Sequence, residues 1–360
     1  MDTITRRRFL SHALPAAAAA GIPLVFTRRA PASWSVGSPV HPNVPDLRVV
    51  GLTDPAMTGK AQPRIDWAAQ EKLVNAEAVA GNIDRLACAL TGERRASEAW
   101  KAVFVKPPKK AWTETVVAIK TNNIAQQHTH SAVLARLCRV FTDGLGVKPE
   151  NVHIYDACHG GNMARKTPFA GLPEGCRVEG KWGGSTVPVG VPAPWKGKAT
   201  KCVAPLAKGS VDILVNVALC KGHNLRGVGG FTLTMKNHLG TFSPGPAHRD
   251  GLDYLLGLHR TPAVLGEIGA AGGKVLYPRQ QLCLIDALWS SKSGPGGHPT
   301  AQTNFLAMGV FGPAVDYVIA TRFRAAKMGW PINAEVAERI LPAFGHDRRD
   351  LPEGGKIISP

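Results

Sequence analysis

Residues 115–155 alternate between short apolar segments and one amphipathic helix, and this alternation constrains the fold more than any other feature. Residues 115–120 and 152–155 are short and apolar, which is typical of buried strands. Between them, Leu134, Leu137 and Phe141 recur at helical spacing, and Gly144 is the expected C-cap. A strand, a helix and a second strand in this order form a crossover connection, so we expect the two strands to pair in parallel.

Similar patterns along the chain predict an α/β fold, with a mainly parallel sheet covered by helices. Residues 160–205 have no periodicity and are rich in Gly, Pro and Lys, which indicates an insert that forms a loop, a β-hairpin or a lid. The α/β domain is expected over residues 47–330, followed by a C-terminal helix and tail at 331–360. Further strands are predicted at 47–52, 211–218 and 282–287, and helices at 71–90, 131–144, 229–239, 252–258, 263–270 and 313–326.

The N-terminal segment resembles a twin-arginine export signal. Arg6 and Arg7 are followed by Phe9-Leu10, and a weakly apolar stretch broken by two prolines leads to small residues at 30–32. We interpret residues 1–32 as a signal peptide and residues 33–46 as an extended leader. The protein would leave the cytoplasm folded, through the twin-arginine translocase, and act in the periplasm or outside the cell. The alternative is an ordinary basic N-terminal tail.

The charge of the chain favours anionic partners. The formal net charge is +17, and about +13 without residues 1–32, which carry five arginines and one aspartate. No nucleic-acid-binding module is found, so a nucleic-acid partner is not expected. No apolar run of membrane-spanning length follows the signal, so we expect a soluble protein with no stable membrane insertion.

The seven cysteines include no Cys-x-x-Cys pair, which argues against an iron–sulfur cluster or a zinc ribbon. Cys88, Cys138 and Cys283 lie in apolar patterns and are expected to be buried. Cys176 and Cys202 flank much of the insert and could form a disulfide in an oxidising compartment.

Basic and polar residues follow the predicted strands at the ends where ligands bind in open α/β sheets. Histidine, lysine or aspartate follows four of these strands, which is the strongest chemical indication in the chain. The predicted ligand-binding residues are Lys120, Asn122, Lys221, Gly229, Gly230 and Asn237.

Residues 216–240 form the centre of this prediction. Gly229 and Gly230 would let the backbone approach an anion, while Lys221 and Lys236 would supply positive charge. His223 could bind a metal or move a proton. Lys236, His223 and Asp286 are the predicted catalytic residues, with Asp286 orienting a lysine or histidine. The alternative is an ordinary glycine-rich turn with exposed lysines.

A divalent metal is the cofactor that three histidines suggest. His128 and His130 share a face if their segment is extended, and His223 would be the third ligand, leaving an open coordination position. The alternative is a helix cap or a solvated loop. Asp316 lies in an apolar helical stretch, either on its surface or as a buried, paired acid, and His248 is regarded as incidental.

Several of these segments together resemble a widespread domain-of-unknown-function family, DUF362. The resemblance is carried by residues 117–122, Thr129-His130, Asp156, Asn216, residues 221–223, Thr234-x-Lys236-Asn237 with Gly240, Asp286-Ala287, and Asp316. It covers about residues 47–330 and implies an α/β domain with no general assigned activity. Some members resemble iron–sulfur proteins because they carry a ferredoxin module, but this chain lacks the cysteine spacing for one.

A fainter resemblance is to the nickel-pincer lactate racemases. Residues 146–151 match the turn of their βαβ unit, and His223, Gly229, Gly230 and Lys236 are arranged similarly to the residues that hold their cofactor. In the racemases the lysine follows the glycines almost directly, whereas residues 231–235 intervene here. The sequence therefore predicts an exported protein that binds a small anion, either as a metal-dependent enzyme or as a non-catalytic binding or electron-transfer partner.

Overall fold

The computed structural model describes residues 34–35, 41–44, 46–157, 163–180, 182, 184–224, 226–268 and 274–360. The seven strands of the main sheet are β1 (Val50–Thr53), β2 (Val117–Lys120), β3 (Val152–Tyr155), β4 (Arg177–Glu179), β5 (Ile213–Leu219), β6 (Gln280–Ser290) and β7 (Ala301–Gly309). Their order in the sheet is β1-β7-β6-β5-β2-β3-β4. The strands from β6 to β4 are mutually parallel, while β7 and β1 pair antiparallel at one side, which confirms the predicted α/β class.

The register of the parallel strands brings the carboxyl ends of β2, β3, β5 and β6 to one edge. Lys120 at the end of β2 lies opposite Tyr155 of β3 and Asn216 of β5. Leu219 at the end of β5 lies opposite Asp286 of β6. Polar residues that follow these strands are therefore neighbours, although they are far apart in the sequence.

Helices cover both faces of the sheet. They are α1 (Trp67–Leu73), α2 (Ala76–Thr91), α3 (Ala96–Val103), α4 (Ser131–Arg139), α5 (Met163–Lys166), α6 (Ala204–Ala207), α7 (Thr234–Asn237), α8 (Gly245–Leu258), α9 (Pro262–Leu265), α10 (Gly312–Val318) and α11 (Ala334–Glu338). Two helices continue as π-helical segments, Val140–Leu145 after α4 and Ile319–Lys327 after α10. Along β2, Val117 and Ile119 pack on the face covered by α2, α3 and α4, while Ala118 packs on the face covered by α7, α8 and α10.

Helix α2 shows how the sequence determines these elements. Val79, Ile83 and Leu86 are fully buried on one helix face, and burial of such side chains contributes about 1.5–3 kcal/mol each. Asn75 begins the helix by accepting a hydrogen bond from Ala78 N, and Gly92 ends it in the left-handed conformation. The single helix predicted at 71–90 is therefore two helices, because the cap at Asn75 separates α2 from α1.

Other predicted boundaries also change. The helix predicted at 131–144 ends later, at Gly146, because the π-helical turn adds residues before the left-handed cap. The helix predicted at 263–270 is only α9, after which the chain turns into the strand Gly266–Ile268; residues 269–270 lie outside the described part. Helix α3 and strands β4 and β7 were not predicted.

The predicted insert contains an antiparallel hairpin, Thr186–Gly190 with Ala199–Val203, and contributes β4 to the edge of the main sheet. A second sheet is formed by Trp34–Ser35, Lys274–Pro278 and Gly266–Ile268. The C-terminal tail reaches β1, where Gly51 N donates to Ile358 O at 3.0 Å. Among the described residues, no helix has the length and apolar character needed to cross a bilayer.

The disulfide that Cys176 and Cys202 could form is not present in the structure. Both residues are free thiols, and they belong to different hydrophobic cores on opposite faces of the sheet. Cys202 lies in the hairpin, where burial raises its pKa to about 12. Cys158 and the predicted signal peptide, residues 1–32, lie outside the described residues.

Candidate functional site

A cavity of about 160 Å³ lies at the carboxyl edge of the sheet. It is bounded by the end of β2, the residue after β3, the turn after β5 and helix α7. Five predicted site residues line it: Lys120, Asn122, His223, Lys236 and Asn237. The convergence of strand ends expected from the sequence therefore produces one shared cavity for these five side chains.

The buried ion pair of this cavity joins Lys120 to Asp156. Lys120 Nζ lies 3.2 Å from Asp156 Oδ1, and both side chains are almost fully buried. Asp156 Oδ2 accepts a hydrogen bond from Asn123 N at 2.9 Å, so both oxygens are engaged. A Cβ atom at Gly240 would overlap Asp156 Oδ1 and lie 2.6 Å from Lys120 Cε. Only glycine therefore fits beside this ion pair.

A chain of hydrogen bonds fixes the carboxamides beside the ion pair. Lys221 Nζ donates to Asn122 Oδ1 at 2.5 Å, and Asn122 Nδ2 donates to Asn237 Oδ1 at 2.8 Å. Asn237 Nδ2 then donates to Asn216 Oδ1 at 2.8 Å. Because an ammonium only donates, Lys221 sets the direction of every bond that follows. Lys221 itself is 1 % exposed and lies behind the cavity wall.

Helix α7, which carries Lys236 and Asn237, is held by a buried carboxylate. Asp316 accepts hydrogen bonds from Thr234 N at 2.7 Å and Met235 N at 2.9 Å, so it caps the free N–H groups of this short helix. Burial raises the pKa of Asp316 to about 7 although these hydrogen bonds favour the carboxylate. Of the two alternatives for Asp316, the buried and paired acid is correct.

Positive charge surrounds His223 inside the cavity. Burial, together with the charges of Lys236, His248 and Lys221, lowers its pKa to about 4. The ring is therefore neutral at pH 7. His248, regarded as incidental in the sequence, lines the same cavity. Nothing in the local pattern marked it, since it lies on α8 and no predicted strand end precedes it.

His130 and Asp286 form a separate buried pair that does not line this cavity. Asp286 Oδ2 accepts from His130 Nδ1 at 2.9 Å, so this carboxylate fixes one side of the His130 ring. On the other side of the ring, His130 Nε2 lies 3.1 Å from Gln70 Oε1. The Gln70 amide group donates to two carbonyls, which leaves its oxygen facing the imidazole. Both ring nitrogens thus face acceptors, and although burial opposes charge, Asp286 raises the pKa of His130.

The predicted three-histidine metal site is not formed in the described part of the chain. The structure there contains no group of three or more histidine, cysteine, aspartate or glutamate side chains that could hold a metal ion. His130 is engaged by Asp286 and Gln70. His128 Nδ1 lies 3.1 Å from Thr167 Oγ1, and its ring packs against Trp67. His130 occupies the N-cap position of α4, but its side chain makes no capping hydrogen bond there.

Gly229 and Gly230 shape the turn after β5. Both have positive φ, and Gly230 O accepts from His223 N at 2.9 Å, which positions the backbone of His223. Gly230 lines a neighbouring open cavity of about 610 Å³ that also includes His223. The backbone approaches charged groups closely at Gly240 instead. Gly240 belongs to the sequence pattern at residues 234–240 that resembles the family, but it was not predicted as a site residue.

Comparison with known proteins identifies the family of this chain. The family model described as domain of unknown function (DUF362) matches residues 117–321, which include β2, β3, β5, β6 and the cavity described above. Searches among curated proteins and solved structures give no match, so the resemblance to lactate racemases stays a prediction. The chain belongs to the DUF362 family of domains of unknown function.

Proposed function

We propose that the protein binds a small anion, a carboxylate or a phosphate, in the cavity formed by Lys120, Lys236 and His223. The observation that carries this proposal is the balance of charge at the cavity wall. The lysines Lys120 and Lys236 and the histidines His223 and His248 line the cavity. The carboxylate among the described lining residues is Asp156, and it already pairs with Lys120. The lowered pKa of His223 is partly caused by the same positive charges. A negative ligand would relieve their repulsion.

A buried hydroxyl in the cavity wall supports a polar ligand. Thr232 is 3 % exposed, and its Oγ1 has no hydrogen-bond partner among the described residues. Leaving a buried polar atom unsatisfied costs about 1–3 kcal/mol, which a ligand oxygen would recover. The volume of about 160 Å³ suits a ligand with few heavy atoms.

Calorimetric titration of the full chain with phosphate, sulfate and short carboxylates tests the proposal. Lys236→Gln should weaken the binding of the preferred anion at least about tenfold, because removing a charge near the ligand costs about 1.4 kcal/mol or more. Lys148→Gln is the matched control, since Lys148 is exposed and precedes β3 at the opposite edge of the sheet. Binding of no anion, or equal losses in both variants, would contradict the proposal.

Proton transfer to His223 is a second candidate function. The imidazole is unprotonated at neutral pH and lies in the cavity with Lys236, so it could accept a proton from an anion held by the lysine. Proton transfer is measured by incubating the protein with short carboxylates in deuterated water. The readout is the replacement of hydrogen by deuterium at the carbon next to the carboxyl group. Exchange that is lost in His223→Ala but kept in His41→Ala would support catalysis, and no exchange above the rate without protein would favour simple binding.

We also propose export by the twin-arginine route, which the Arg6-Arg7 motif supports. The anion would then be one present outside the cytoplasm.

A further inference from the structure

The cavity described above adjoins a larger one. The inner cavity, of about 160 Å³, and the outer cavity, of about 610 Å³, are both lined by His223. Sites for small organic molecules usually measure about 300–1,000 Å³, so the inner cavity alone is smaller than such a site, while the outer cavity falls within the range. The excess of positive charge lies in the inner cavity. A ligand that occupies both cavities would therefore hold its anionic group inside and extend past His223.

The outer cavity has a mixed polar wall in which charge is balanced. Lys292 and Glu335 supply one charge of each sign, and Asn224 and Ser293 add an exposed amide and an exposed hydroxyl. The wall thus offers hydrogen-bond donors and acceptors side by side. Because a hydroxyl group both donates and accepts, a ligand body with several hydroxyls matches this wall. An alkyl chain would displace water from the polar groups without replacing its hydrogen bonds.

A buried arginine and the turn after β5 fix one wall of the outer cavity, at residues 291–293. Arg324 is fully buried, and its Nη1 donates to Ser291 O at 2.9 Å while its Nη2 donates to Lys292 O at 3.1 Å. Gly222 N also donates to Ser291 O, at 2.8 Å. A Cβ atom at Gly222 would overlap Lys292 O, so the turn and this wall are in direct contact.

Another wall, at the start of α11, is tied to the same turn. Asn333 N donates to Gly229 O at 2.8 Å, and Asn333 Oδ1 accepts from Val336 N at 3.3 Å, which caps the helix. Ala334 and Glu335 follow directly and line the cavity. The protein itself therefore holds both walls in place, as is usual for a preformed ligand site.

We propose that the outer cavity binds the polyhydroxylated body of an organic anion whose phosphate or carboxylate group occupies the inner cavity. Sugar phosphates and sugar acids are compounds of this class. The inference rests on the proposed anion binding and adds the chemistry of the rest of the ligand. His223, which lines both cavities, would lie where the anionic group joins the body.

Calorimetric titration of the full chain with two series of probes tests the proposal. The first series is inorganic phosphate, glucose 6-phosphate and hexyl phosphate, and the second is acetate, gluconate and hexanoate. In the series whose bare anion binds, the hydroxylated compound should bind about tenfold more tightly than the bare anion, because each additional hydrogen bond contributes to affinity. The alkyl compound, which has as many carbon atoms in its body, should gain much less.

Two helices of this chain begin with the same three residues, which supplies matched controls. Asn333-Ala334-Glu335 begins α11 at the outer cavity, and Asn75-Ala76-Glu77 begins α2, which packs on the other face of the sheet. Ala334→Phe should remove the gain of the hydroxylated compound by narrowing the outer cavity, and it should leave the affinity for the bare anion unchanged. Ala76→Phe should change neither affinity.

A second variant, Glu335→Ala, keeps the test independent of a bulky side chain. It should weaken binding of the hydroxylated compound, because an acceptor for its hydroxyls is removed. A purely electrostatic effect would have the opposite sign, since removing a negative charge favours an anion. Glu77→Ala should bind every probe as the unaltered chain does.

The outcomes separate this inference from the proposed function. If no bare anion binds, both are wrong. If the bare anion binds but the hydroxylated compound gains no more affinity than the alkyl compound, only the inference about the outer cavity is wrong. Retention of the full gain in both Ala334→Phe and Glu335→Ala would overturn that inference as well.

Discussion

His223 is the residue whose protonation should report the ligand. Its pKa of about 4 means that the ring gains a positive charge only in acid, and that charge would face the same cavity as Lys236. Affinity for an anion should therefore rise by about tenfold or more as the pH falls from about 7 to about 4, which corresponds to about 1.4 kcal/mol. Sulfate is the suitable probe, because its charge does not change in this range.

Titration of histidine ring signals by NMR checks this directly, since sulfate should raise the pKa of His223. The matched control is His41. Burial also lowers the pKa of His41 to about 4, but its ring is hydrogen-bonded to Val103 O and does not line the cavity. A response of His41 equal to that of His223 would indicate a general salt effect.

Gly240 is the residue that permits the Lys120–Asp156 pair. In Gly240→Ala, the new methyl group would overlap Asp156 Oδ1, so the ion pair must move or the backbone must shift. We expect a loss of about 1–3 kcal/mol in the free energy of unfolding, together with weaker anion binding. Gly245→Ala adds the same methyl group where nothing lies within 4 Å and should change neither quantity. Chemical denaturation and calorimetry measure both, and equal behaviour of the two variants would contradict the close packing at Gly240.

At the scale of elements, helix α7 depends on a carboxylate whose charge is costly to bury. The pKa of Asp316 is raised from 3.8 to about 7, so the folded state holds a proton that the unfolded state releases between these values. The contribution of Asp316 to the free energy of unfolding is complete below about pH 4 and is lost as the pH rises to about 7. The stability advantage of the unaltered chain over Asp316→Asn should therefore shrink by a few kcal/mol across this range.

Urea denaturation at several pH values measures that difference. The same carboxylate positions Lys236, so Asp316→Asn should also weaken anion binding at neutral pH. A difference in stability that stays constant with pH would show that Asp316 does not titrate in this window.

The elements also show what the sequence can and cannot predict. Strand β3 was predicted with its observed bounds, because a short apolar segment between a helix and polar residues has few alternatives. Strand β7 was missed because it is half-exposed at its start and follows a glycine-rich segment, which leaves only a weak hydrophobic pattern. The strand is recognised from its pairing with β6 in the structure. The cavity residues at strand ends were predictable from the parallel topology. The His130–Asp286–Gln70 contacts were not, since they depend on the three-dimensional packing of α1 against the start of α4.

At the scale of the whole molecule, the proposed export motif and the folded domain lead to one joint prediction. The twin-arginine route carries folded proteins, so the cavity and its ion pair would be complete before the chain leaves the cytoplasm. Changing Arg6 and Arg7 to Lys keeps every positive charge and leaves residues 47–330 unaltered. Export should nevertheless fall to a small fraction, because the translocase recognises the guanidinium pair rather than net charge.

Cell fractionation with immunoblotting measures the periplasmic share of the protein, and the matched control is Arg8→Lys, which alters the neighbouring arginine outside the pair. The cytoplasmic protein that accumulates should bind anions and unfold at the same Tm as the domain without residues 1–32, because export and folding depend on different parts of the chain. Equal periplasmic amounts for the double variant and the control would contradict the twin-arginine interpretation and favour a plain basic tail. Loss of anion binding in the retained protein would instead show that the binding site is completed only after export.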